Sequence, residues 1–92
     1  MKLLVFTIYD EKAQAYDKPF FTTAIGLASR EFSHLATKSN TIVSQHPGDF
    51  SLYHIGFYET STARFDPTDP PNLICRGSDF HQPQQPNKEN GR

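Results

Sequence analysis

The sequence predicts an α+β fold: a small mixed sheet of three to four strands with one helix packed across it, in the order β-α-β-β with a further edge strand after it. Three observations carry this. A run of apolar and β-branched residues opens the chain at Leu3–Tyr9, a stretch of helical periodicity lies between positions 23 and 37, and an alternating aromatic run follows at Phe50–Tyr58.

The opening strand sets Leu3, Val5, Thr7 and Tyr9 on one face and Leu4, Phe6 and Ile8 on the other. Both faces are largely apolar, which is the pattern of an interior strand. "DEKAQAYDKPFF" reads as a polar connection after it, in which Pro19 keeps Lys18 out of helical geometry.

The helix is expected from about Thr23 to Thr37, with Thr22 or Thr23 as N-cap. Ile25, Ala28, Phe32 and Leu35 recur as one apolar stripe, while Arg30, Ser33 and Lys38 fall off it. Gly26 weakens such a helix by about 1 kcal/mol relative to Ala. "KSNT" supplies its stop. A β-α-β connection of this length favours right-handed, parallel pairing of the first two strands.

"HPGDF" makes the next corner. Pro47 presets φ and Gly48 offers positive φ, the signature of a type II turn between His46 and Asp49. In the strand that Phe50 opens, Tyr53, Ile55 and Phe57 alternate with Leu52, His54, Gly56 and Tyr58. "ETSTA" turns the chain, and Arg64-Phe65 begins a short third strand. "DPTDPP" is expected to break the sheet because proline cannot donate ladder bonds, leaving "NLICR" as a last edge strand. Residues 1–80 thus read as one small domain, and 81–92, "HQPQQPNKENGR", as a disordered polar tail.

Composition narrows the function. The chain has 92 residues with 36% hydrophobic content, including eight Phe, four Tyr and no Trp, so rings must supply much of the core. Nine Lys and Arg stand against ten Asp and Glu, a net charge of −1. A protein that grips duplex DNA mainly through phosphates is usually clearly basic. A nucleic-acid role here must rest on a local patch or on stacking. The lone Cys75 makes no intramolecular disulfide, which points to a reducing compartment. The opening apolar run is too short for a signal-peptide core or a membrane span, so the chain reads as soluble and cytoplasmic, with no membrane partner.

Catalytic signals are weak. His34, His46, His54 and His81 lack the close spacing that puts two imidazoles on one metal, and no cofactor motif appears. Asp10, Glu11 and Asp17 lie in a polar loop, where carboxylates stay solvated. No phosphate loop, nucleophile elbow or activated Ser is present, so the chain does not read as an enzyme.

The loop "AYDKPFF" carries the chemistry of most interest. Tyr16, Phe20 and Phe21 surround Lys18, with Lys12 nearby, and rings interleaved with Lys suit stacked bases and their phosphates. The competing reading is that Phe20 and Phe21 cap the core, one as a hydrophobic staple. A chain this short must bury most of its rings, which weighs toward the core for that pair and leaves Tyr16 freer. Arg64 on the hairpin and Arg76 on the last strand would join one sheet face beside Tyr9, Tyr53 or Tyr58. The candidate nucleic-acid-binding residues are therefore Lys12, Tyr16, Lys18, Phe20, Phe21, Arg64 and Arg76.

In order and spacing, "MKLLVFTIYD", "KAQAY…PFF", "REFSHL" and "HPGDFSLYHIGFYE" resemble the small nonstructural protein of gokushoviruses, bacterial microviruses with circular single-stranded DNA. That protein is also described as the DNA-binding protein of the group. The likeness covers residues 1 to 66; "ETSTARF" stands where an acidic pair and a Gly are expected, and nothing after Asp66 matches. It implies a non-capsid protein of the infected cell, absent from the virion, that binds single-stranded or viral DNA. Its role would lie in genome replication or the switch to single-strand synthesis and packaging. The alternative is an interaction module without direct DNA binding, pairing with itself through a sheet edge or with phage or host replication proteins.

Overall fold

The computed structural model describes residues 1–80. The tail expected at 81–92, with His81, lies outside them.

The chain forms β1 (Lys2–Asp10), β2 (Ala15–Tyr16), β3 (Phe20–Thr22), α1 (Ile25–Thr37), the short α2 (Ile42–Gln45), β4 (Phe50–Glu59) and β5 (Arg64–Arg76). Two 3₁₀ turns, Pro47–Asp49 and Gly77–Asp79, precede β4 and follow β5. The class is α+β as expected, but every pairing in the sheet is antiparallel. β1 and β4 are the central pair, β5 is the edge beyond β4, and β2 and β3 follow one another along the other side of β1.

The parallel pairing expected for the first two long strands is therefore wrong, and the reason is local. The stretch treated as a connection contains β3, whose Phe20, Phe21 and Thr22 pair with Phe6, Val5 and Leu4. β3 and β4 both run against β1, on either side of it. The two parallel strands that α1 joins are thus β3 and β4, with β1 lying between them.

α1 packs on one face of the sheet. Its buried line is Ala28, Phe32 and Ala36, rather than the expected stripe through Ile25 and Leu35, which are 46% and 38% exposed. Two alanines flanking Phe32 let the helix axis come close to the sheet, where Phe32 joins Phe6, Val43, Phe50 and Leu52 in one core. The expected threonine cap is not made. Thr22 belongs to β3, and its hydroxyl donates to the Ala24 carbonyl at 2.8 Å, while Ala24 is the N-cap and has no side-chain bond. The stop falls as expected: the Lys38 amide donates to His34 O at 2.8 Å, and Asn40 takes the left-handed conformation that Asn tolerates.

Thr41 then caps α2, an element with no apolar periodicity to announce it, by accepting from the Ser44 amide at 3.0 Å. The "HPGD" corner is a 3₁₀ turn and not a type II turn. The Asp49 amide donates to His46 O at 3.0 Å, and no glycine among the described residues has positive φ. Proline's fixed φ suits the first position of such a turn. The corner also carries weight elsewhere: the Pro47 backbone lies directly on Gly77, with no room for a side chain there.

The prolines do not end the sheet. β5 runs unbroken from Arg64 to Arg76, so the expected third and last strands are one. The ladder itself is interrupted, because Gly56 pairs with Pro67 and His54 with Asn72, leaving residues 68–71 opposite Ile55 alone. An edge strand tolerates this, since the missing amides face no further strand.

Candidate functional site

Strand register decides which side chains share a face. On β4, Phe50, Leu52 and His54 lie opposite Asp10, Ile8 and Phe6, and so face the helix. Ile55 is an extra residue: Val5 pairs with Gly56 while Phe6 pairs with His54. After this bulge the alternation is reversed. Phe57 rejoins the helix side, its ring 4.8 Å from that of His54, and Tyr58 joins Tyr53 on the opposite side.

The result is a segregation of ring types. Phe6, Phe20, Phe50 and Phe57 are on the helix side, where Phe32 and Phe80 meet them. All four tyrosines (Tyr9, Tyr16, Tyr53 and Tyr58) lie on the far face, with Phe21 and Phe65. Among the described residues no helix covers this face. Tyrosine suits such a place because its ring packs while its hydroxyl meets water.

Cross-strand neighbours give the face four rows: Tyr16–Tyr9–Ser51–Arg76, then Thr7–Tyr53–Leu73, then Phe21–Val5–Gly56–Pro67, then Leu3–Tyr58–Phe65. Strand rise spreads these rows over about 20 Å. Tyr9, Tyr16 and Tyr53 form one cluster, with centroids 4.7, 5.7 and 6.3 Å apart in tilted and edge-on pairs. Phe21 and Tyr58 form a second at 5.7 Å. Val5 and Thr7 are buried beneath these rings, while Tyr16, Phe21 and Phe65 remain about half exposed. The face is a ribbon of rings fixed by their neighbours, with ring surface open to solvent.

The expected binding residues distribute unevenly over the molecule. Tyr16 and Phe21 sit on the ring face, and Arg76 closes its first row across Ser51 from Tyr9. Lys18 lies at the rim, in the link whose Asp17 carbonyl accepts from the Thr7 hydroxyl at 2.6 Å. Phe20 points the other way and stacks on Phe6 at 5.9 Å, so its role is in the core. Arg64 falls on the helix side by register with Glu59 and is held by Asp66 at 3.2 Å. Lys12 sits in the β1–β2 turn, where its amide bonds the Asp10 carboxylate. The loop "AYDKPFF" is thus split between two faces by the strand within it.

Tyr9, Tyr53 and Tyr58, expected only as neighbours of Arg64 and Arg76, belong to the face itself. Their signal was Gly56, since a glycine inside an aromatic strand marks a bulge. With the bulge placed, alternation carries all four tyrosines to one side.

A concavity of about 450 Å³ opens on the helix side beneath the β1–β2 turn, lined by Ile8, Leu35, Ile42 and Phe50 with the carboxylates Asp10 and Asp17. Those acids disfavour a polyanion there. Cys75 packs against the core, and burial, with the charge of Asp79 adding to it and a Ser29 hydrogen bond opposing, pushes its thiol above the ordinary range. It is a poor nucleophile at neutral pH. The described residues contain no helix long and apolar enough to cross a membrane.

A family model described as "Phage ORF5 protein" matches residues 3–80. No curated protein and no solved structure matches the chain.

Proposed function

The chain belongs to the phage ORF5 protein family, and from that membership together with its open ring face we propose that it is a nonstructural phage protein that binds single-stranded DNA. The observation that carries the reading is the gathering of all four tyrosines, with Phe21 and Phe65, on one uncovered sheet face. Sheet-borne rings are a common platform for unpaired bases, and each base stacked on a ring contributes about 1–3 kcal/mol. The likeness to the gokushovirus nonstructural protein adds a context: a factor in viral genome replication, or in the switch to single-strand synthesis and packaging, acting in the cytoplasm of the infected bacterium. On this reading the protein binds and does not catalyse, and it needs no cofactor.

Fluorescence anisotropy with a labelled single-stranded oligonucleotide tests the reading. Saturable binding at low salt, weaker for a duplex of the same sequence, is expected. No binding at about tens of micromolar protein in low salt overturns it, because phosphate contacts are strongest there.

One observation favours a second reading, a protein-interaction module. β5 ends the sheet: β4 pairs with one side of it, and no described strand pairs with its outer side. Pro67, Pro70 and Pro71 blunt the first half of that edge, as prolines do on protected edges. Light scattering that finds a stable dimer, in a protein that ignores DNA, would select this reading.

A further inference from the structure

We infer that the ring face takes the bases of a single strand and leaves nearly all of its phosphates to solvent, with Arg76 as the one cation on the face to meet a phosphate. This rests on the DNA-binding reading and specifies its chemistry.

The argument is the placement of charge. Among the residues that register puts on the face, there is no Asp or Glu, and Arg76 is the single Lys or Arg. Lys18 stands at the rim. Arg76 is thus the single charged residue of the rows, with the Asp79 carboxylate, which accepts from the Arg76 amide at 2.8 Å, just beyond the end of the first. The other cations near the sheet lie off this face: the Lys2 ammonium stands 5.3 Å over the Phe57 ring on the helix side, Arg64 falls on that side by register and pairs with Asp66, and Lys12 sits in the β1–β2 turn. A backbone laid along the rings meets one arginine at the end of the first row, beside the Tyr9–Tyr16–Tyr53 cluster. The rows beyond it carry no charged side chain.

This distribution has a measurable signature. Each phosphate neutralised on a single strand contributes about −0.7 to the slope of log K against log salt. Arg76 with Lys18 gives a slope between about −0.7 and −1.4, far shallower than that of a protein that grips the backbone. Stacking contributes no such slope, so rings and cation separate cleanly.

The test is anisotropy with a fluorescein-labelled oligothymidylate and the full chain, from about 50 to 200 mM salt. A slope shallower than about −2 is expected. Arg76→Gln should reduce its magnitude by about 0.7. Tyr16→Ala should weaken binding about tenfold or more at unchanged slope, with Tyr16→Phe retaining most of it. A slope of about −2 or steeper, or an Arg76→Gln protein with unaltered slope, overturns the inference while DNA binding itself stands. Failure to bind at the lowest salt removes both, as does a dimer that Tyr16→Ala dissociates in a protein blind to DNA.

Discussion

The ring of Phe65 lies across Gly56: a Cβ on Gly56 would stand 2.9 Å from Phe65 Cε1 and 2.6 Å from the Asp66 carbonyl oxygen. The absent side chain lets β5 close on β4 just beside the bulge at Ile55, and it seats a ring on the open face. Gly56→Ala must push backbone as well as ring, an overpacking that costs about 1–3 kcal/mol. Urea unfolding should show that loss.

Gly26 and Gly48 are the contrast. A Cβ at either would meet nothing within 4 Å, and neither has positive φ. Gly26→Ala should stabilise the protein by about 0.5–1 kcal/mol, through helix propensity in α1. Gly48→Ala should be nearly neutral, because its 3₁₀ turn demands no glycine. The same urea series would read both.

Cys75 should be a slow thiol. Burial raises its pKa above the ordinary value, so the folded state disfavours the thiolate. The stabilising contribution is complete below the unfolded value of 9.0 and is lost as pH rises beyond it. Alkylation by iodoacetamide at neutral pH should be much slower for folded than for urea-unfolded protein. Equal rates would show the thiol to be free.

Much of the fold can be read from the residues, and the failures have physical causes. The long strands and the helix were visible because Phe6, Leu52 and Phe32 sit in unbroken periodic runs. β3 leaves no signal in the sequence, because three residues beside Pro19 carry no period of their own, and without it the β-α-β order implies a parallel neighbour where the sheet has an antiparallel one. The prolines of β5 do not break it, since an edge strand needs fewer amides than a central one. In the site, Tyr16, Phe21, Lys18 and Arg76 were recognisable as a mixture of rings and cations. Tyr53 and Tyr58 were not, because strict alternation puts them on opposite faces and only the extra residue at Ile55 unites them.

The central claim is that unpaired bases stack on the four-tyrosine face. With no Trp in the chain, intrinsic emission comes from Tyr9, Tyr16, Tyr53 and Tyr58, and all four report from that face. The direct measurement is tyrosine emission during titration with oligothymidylate, corrected against free tyrosine amide for light absorbed by the DNA. Stacking predicts saturable quenching that persists at about 200 mM salt and follows the anisotropy curve. Emission that stays constant while anisotropy reports a bound oligonucleotide would place the DNA elsewhere on the protein and contradict the account.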